Sequence, residues 1–130
     1  MRRALRVPDN SLMRLSHVLL YVKNLPRMAR FYGSLLRSEP SHAEDRYVEF
    51  ENGNFRLALH AIPTEIADQV EVATPPHPRE TTPIRLAFLT EGLDAESLRL
   101  RELGATLERR PWGGFVAIDP EGNIFEIVVQ

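Results

Sequence analysis

The sequence predicts an α+β fold made from one unit written twice, and three observations carry that prediction. The stretch Tyr47 to Leu59 runs from an apolar strand through Glu51-Asn52-Gly53-Asn54 into a second strand. Phe115 to Val128 repeats this through Asp119-Pro120-Glu121-Gly122-Asn123. Each stretch is preceded by a short apolar run and an amphipathic helical segment. Setting His17 against Arg85, 68 positions apart, also aligns Leu25 with Leu93, Tyr32 with Leu100, Leu35 with Leu103 and Phe50 with Ile118. One extra residue in the second turn then brings Gly53 to Gly122, Asn54 to Asn123 and Leu57 to Glu126. Matched positions on a helix, a strand and a turn together indicate duplication.

The elements follow in order. Leu15 to Val22 is apolar and rich in β-branched and aromatic residues, as a buried strand requires. Asn24 can accept from the first free backbone N–H groups of a helix, and Pro26 is tolerated in its first turn. Met28, Phe31, Tyr32, Leu35 and Leu36 fall on one helical face, and Pro40 sets the limit of that helix. Tyr47–Phe50 and Phe55–Ile62 read as strands around a hairpin turn. Residues 63–83 contain Pro63, Pro75, Pro76, Pro78 and Pro83 among polar residues and read as a linker or functional loop, with a short ordered piece near Glu65 to Val72. The pattern then returns. Ile84–Leu89 is a strand, and Leu93–Leu103 is a helix with Asp94 and Glu96 at its positive N-terminal end. Gly104 is a stop, and Thr106–Glu108, Phe115–Ile118 and Ile124–Val129 are strands. The resulting organisation is a tail over 1–13 and one domain over 14–130, comprising a module over 14–62, a linker over 63–83 and a module over 84–130.

A chain of 130 residues with 43% hydrophobic and 26% charged content suits one soluble domain with its own core. The formal net charge of -2 gives no basis for nucleic-acid or anionic-membrane partners. No apolar run reaches membrane-spanning length, and Arg2, Arg3 and Arg6 are not followed by a signal-peptide core. The absence of cysteine excludes disulfides, thiolate nucleophiles and Cys-ligated metals, and fits a cytoplasmic location. Lys23, the single lysine, sits beside a helix start and is a poor Schiff-base candidate.

Three segments resemble the vicinal-oxygen-chelate superfamily, which includes glyoxalase I, bleomycin-resistance proteins, fosfomycin-resistance enzymes and extradiol dioxygenases. They are Ser16-His17-Val18-Leu19-Leu20-Tyr21-Val22, Phe31-Tyr32-Gly33-Ser34-Leu35-Leu36 and, most specifically, Asp119-Pro120-Glu121-Gly122-Asn123-Ile124-Phe125-Glu126. The resemblance spans about Leu15 to Val129. It implies two βαβββ modules whose strands curl into an open mixed sheet around a central pocket, and a homodimer. It also implies metal-ligand positions at His17, Leu57, Arg85 and Glu126. Two of these hold suitable donors for Zn, Ni, Mn or Fe, namely His17 and Glu126. Leu57 has none, and Arg85 offers only donors and a positive charge that repels a cation. His60 shares a strand with Leu57 at odd spacing and is therefore expected on the opposite side from it.

Two functional expectations follow. In one, the protein binds a small anionic or oxygen-rich molecule, with Arg85 taking the anionic group and Tyr47, Phe115 and Trp112 lining the pocket. In the other, it is a metal-dependent lyase, isomerase or dioxygenase, with His17 and Glu126 as ligands and catalytic groups. The roles also have structural counterparts. His17 suits a half-buried strand position, Arg85 can neutralise Glu126 among apolar neighbours, and Tyr47 and Phe115 can be core. Trp112 next to Gly113-Gly114 can close a pocket or cap the sheet edge. His42 and His77 fall in expected loops. Arg99, Arg101, Arg109 and Arg110 alternate with Glu96, Glu102 and Glu108 as a solvated face.

Overall fold

The computed structural model describes residues 13–111 and 113–129. The N-terminal tail, apart from Met13, and Trp112 lie outside the described residues. The first module contains β1 (Val18–Val22), α1 (Leu25–Leu36), β2 (His42–Glu44), β3 (Tyr47–Asn52) and β4 (Phe55–Ala61). A one-turn helix, α2 (Thr64–Ala67), begins the linker. The second module contains β5 (Leu86–Thr90), α3 (Leu93–Glu102), β6 (Thr106–Arg109), β7 (Phe115–Ile118) and β8 (Ile124–Val129). Both are βαβββ units, as expected. Their sheets have the orders β1-β4-β3-β2 and β5-β8-β7-β6, with the first and last strands of each module parallel and adjacent. Each sheet has four strands and neither closes. The expected loop around His42 is instead β2, three residues paired antiparallel to β3, too short and polar to carry a strand signal.

Local signals account for the elements. Asn24 caps α1, its side chain accepting from Arg27 N at 3.1 Å. Arg37 ends the helix in the left-handed conformation, its N–H donating back to Gly33 and Ser34. The β3–β4 hairpin pairs Asn52 with Phe55, and Gly53 at the intervening turn has φ +62°, a conformation that favours glycine.

The core lies between the two sheets, with α1 at its centre. From the first sheet it takes Val22, Val48, Phe50, Leu57 and Leu59. From the second it takes Phe115, Ala117, Phe125 and Ile127. Phe31 of α1 meets Phe125 edge-on at 6.0 Å, and Tyr32 lies 6.4 Å from Phe88. Strand alternation sends the intervening residues to the opposite, outward faces. On the first sheet these include Leu19, Tyr21, Ala58, His60, Tyr47 and Glu49. On the second they include Ala87, Leu89, Glu126, Val116 and Ile118. Val116, Ile118 and Ile124 form a small separate apolar cluster there.

Pairing register corrects the internal alignment. Val18 pairs with Leu57 and Leu86 pairs with Phe125, so Leu57 corresponds to Phe125, and Ala58 rather than Leu57 corresponds to Glu126. Phe50 pairs with Leu57 and Ala117 with Phe125, so Phe50 corresponds to Ala117. A one-residue slip in a strand exchanges its faces. Leu57 is buried because it points into the core, as Phe125 does. The extra residue in the second turn is real, but it compensates for one fewer between the helix and the third strand.

The last turn ties the modules together. Asp119, 1% exposed, accepts from Tyr32 Oη at 2.7 Å, from Glu121 N and Asn123 N at 2.9 and 3.0 Å, and from Asn123 Nδ2 at 2.8 Å. Glu121, 4% exposed, accepts from Lys23 N at 2.8 and 3.0 Å and from Asn24 N at 2.7 Å. One turn of the second module thus holds both the entry and the middle of the first module's helix. Gly122 has φ +88°, and a Cβ there would lie 2.2 Å from the His77 carbonyl oxygen, so the linker also packs against this turn.

Candidate functional site on the outward faces

His17 immediately precedes β1 and is half-buried, with Nδ1 2.9 Å from Ser16 Oγ. Arg85 immediately precedes β5. Glu126 sits in β8, flanked in register by Ala87 of β5 and Val116 of β7. Arg85 Nη1 lies 3.4 Å from Glu126 Oε2, with the two side chains 38% and 29% exposed. This contact is long for a charge-assisted hydrogen bond. At this exposure the pair contributes no more than about 1 kcal/mol. It nevertheless gives Glu126 the partner its apolar neighbours call for. The guanidinium keeps donors to spare for another acceptor.

Tyr47 is on the outward face of β3, and its hydroxyl donates to Glu49 at 2.5 Å. That hydrogen bond, with smaller contributions from desolvation and the Glu49 charge, pushes its phenol up to about 12. Phe115 belongs to the core face of β7, buried beneath the Arg109 guanidinium at 5.1 Å. The structure therefore brings Arg85 and Glu126 together on one sheet and places His17 and Tyr47 on the other. The two outward faces lie on either side of the shared core.

The donor set of one chain does not fit a divalent ion. His17 and Glu126 belong to different sheets, a guanidinium occupies the vicinity of Glu126, and no group of three or more His, Cys, Asp or Glu side chains converges among the described residues. Ala58, the counterpart of Glu126, supplies no ligand atom.

Two features were not evident from sequence. His60 shares the outward face with Tyr21 and Tyr47, and its ring lies 5.4 and 6.1 Å from theirs. His60 does lie opposite Leu57 across the strand, and because Leu57 faces the core, His60 faces outward. Between the modules, on the core side, there is also a cavity of about 520 Å³. Leu35, Leu57, Leu86, Phe88 and Ile127 line it, and Arg37, Glu96 and Arg99 border it. Arg99 spends its donors on Glu96 and on the Ser34 and Leu35 carbonyls, and Arg37 pairs with Glu96 at 3.1 Å. No sequence feature marks this space, because its walls come from both modules.

The family description "Glyoxalase-like domain" matches residues 17–128. The chain belongs to the glyoxalase-like domain family. The match takes in both βαβββ modules of this glyoxalase-like protein and places it in the vicinal-oxygen-chelate superfamily. Among solved structures it is similar to a glyoxalase-related enzyme from Fulvimarina pelagi, with TM-score 0.66, 23% identity, and 92% of this chain and 89% of that one covered. It is likewise similar to the fosfomycin resistance protein FosX from Listeria monocytogenes, with TM-score 0.70, 18% identity and coverage of 92% and 94%. FosX from Mesorhizobium loti gives TM-score 0.66, 21% identity and coverage of 89% and 91%. One structure of the Listeria protein is a complex with Mn(II) and 1S,2S-dihydroxypropylphosphonic acid. At these identities the likeness is one of fold. Comparison with curated proteins gives no match. Among the described residues no helix is long and apolar enough to cross a membrane.

Proposed function

We propose that this glyoxalase-like protein binds a small, oxygen-rich anion on the outward face of its second sheet, with Arg85 as the anchor. The observation that carries this reading is the loose 3.4 Å contact between Arg85 and Glu126. It leaves a half-exposed guanidinium above an apolar floor that includes Ala87 and Val116, and carboxylates and phosphonates match the guanidinium's planar fork. The phosphonate in the complex of the fold neighbour supports the choice of ligand class. Glu126 holds Arg85 in place and competes with the ligand for it.

Titration with 1,2-dihydroxypropylphosphonate, followed calorimetrically in the presence of a chelator, tests the reading. Arg85→Ala is expected to weaken binding on the order of 10–100-fold, the equivalent of one charge-assisted hydrogen bond. Glu126→Gln is expected to tighten it several-fold by releasing the guanidinium. If Glu126 acted as a ligand-positioning or metal-holding group, the same substitution would weaken binding. Unchanged affinity in Arg85→Ala removes the reading altogether.

The partner proposed for this surface is a second copy of the chain. β1 and β5 are edge strands, and unpaired edges are ordinarily covered. Tyr21 and Leu89 on them are 57% and 61% exposed, large apolar groups for a surface in water. Closure of these edges by a twofold-related copy would set the outward face of one module beside that of another. Sedimentation velocity at micromolar concentration is expected to give a dimer, and a monomer alone would contradict this assembly.

A further inference from the structure

The cavity between the modules lies on the core side of the second sheet, the side opposite Glu126. Its inner walls are the core-facing side chains of Leu57, Leu86, Phe88 and Ile127, with Leu35 and Leu36 of α1 beside them. Leu36, Leu86 and Phe88 pack against the core yet are only half-buried, so apolar surface stays open toward this space. Its volume of about 520 Å³ falls within the span of small-ligand pockets, roughly 300–1,000 Å³.

The mouth is cationic. Arg37, Arg56 and Arg99 stand there, and Glu96 is the one carboxylate among the described residues that line the cavity. Glu96 accepts from both Arg37 and Arg99, so two guanidinium groups share a single negative charge. Arg56 reaches Glu51 at 3.7 Å, beyond hydrogen-bond length, with both side chains about half-exposed. Positive charge therefore exceeds negative at the entrance, and Arg37 and Arg56 keep donors to spare. An uncharged apolar ligand would leave this excess unanswered, and a small hydrophilic anion would leave the walls in water. A hydrocarbon body with an anionic head answers both. Arg37, Arg56 and Glu96 belong to the end of α1, to β4 and to α3, not to the β1 and β5 edges assigned to a second copy.

We propose that this cavity binds an amphiphilic carboxylate, a fatty acid of medium chain length. Its tail lies among Leu57, Leu86, Phe88 and Ile127, and its carboxylate meets Arg37 and Arg56. The site goes beyond the anion site and uses neither Arg85 nor Glu126.

Calorimetric titration with hexanoate, octanoate and 1-octanol tests it. Octanoate is expected to bind about fifteen-fold more tightly than hexanoate, the gain for two buried methylenes. It should also bind on the order of ten-fold more tightly than 1-octanol, which lacks the charge. The double variant Arg37→Gln/Arg56→Gln, at exposed positions, should remove most of that second preference and leave 1-octanol binding unchanged. Leu36→Trp fills the cavity and should weaken octanoate and 1-octanol together. Arg85→Ala should leave octanoate affinity as it is. Absence of octanoate binding in a dimeric protein would assign the cavity to side chains of the second copy and overturn the proposal. So would equal affinity for hexanoate and octanoate, or a preference for octanoate over 1-octanol that survives in the double variant. Loss of octanoate binding in Arg85→Ala would place the carboxylate at the anion site instead. Binding of dihydroxypropylphosphonate does not enter these outcomes, so the two sites fail or stand separately.

Discussion

Asp119→Ala is expected to destabilise the protein by about 3–5 kcal/mol, since each buried donor left without its acceptor costs about 1–3 kcal/mol and Asp119 serves several. The carboxylate receives four hydrogen bonds in the turn between β7 and β8, one of them from Tyr32 in the other module. Alanine leaves the Tyr32 hydroxyl and the Glu121 and Asn123 donors without that acceptor, at a position only 1% exposed. For a chain of this length the melting temperature should fall by roughly 10–20 °C. A loss under 1 kcal/mol by thermal or urea unfolding would mean that the network is not formed as described.

The Tyr32–Asp119 bond also has a pH signature. Burial first, and the Asp119 charge second, hold the Tyr32 phenol well above its ordinary value. In the unfolded chain a tyrosine titrates near its ordinary pKa of about 10. Because the folded value is raised, the stabilisation is fully present below about pH 10. It declines as the pH rises above that point, where the unfolded chain releases its proton first. Tyr32→Phe should therefore lose stability at neutral pH and show a shallower decline above about pH 10 than the wild-type protein. Parallel alkaline curves would show that Tyr32 is not the group responsible.

Glu121→Ala is the second large effect, expected at about 3 kcal/mol, with Glu121→Gln losing less. The carboxylate accepts the backbone N–H groups of Lys23 and Asn24, just ahead of α1. Hydrogen bonds to a charged acceptor are worth about 1.5–3 kcal/mol each, and negative charge at a helix N-terminus adds a few tenths more. Alanine removes both contributions. Glutamine keeps one acceptor oxygen but turns an NH2 group toward the second donor. Urea unfolding should show a lower midpoint with an unchanged slope, because the same surface is still exposed in one transition. A midpoint left unchanged by Glu121→Ala would mean that Glu121 does not hold the start of α1 as described.

The sequence carried the secondary structure of this protein because local chemistry decides it. The stripe of Met28, Phe31, Tyr32 and Leu35 dictates a helix, and Asn24 caps it as its side chain suggests. The apolar run Ile124–Val129 and the Gly53 turn fix strand and hairpin in the same local way. Duplication was legible for the same reason, since each copy repeats these signals. β2 was not legible, because three exposed polar residues become a strand only by pairing with β3.

The arrangement of the candidate site belongs to tertiary structure. Chain alignment can tolerate a one-residue slip between Leu57 and Glu126, whereas a pleated sheet cannot, because the slip reverses which face each side chain meets. Pairing of Val18 with Leu57 and of Leu86 with Phe125 settled that Leu57 is core, that Ala58 matches Glu126, and that His60 looks outward with Tyr21. The sequence by itself placed His17 and Arg85 at corresponding positions of the two modules and Glu126 in the last strand. Only strand pairing in the folded protein decided the face: β5 lies beside β8, so Arg85 meets Glu126, while His17 precedes β1 of the other sheet. That outcome depends on contacts between residues far apart in the chain, whose geometry no local pattern encodes.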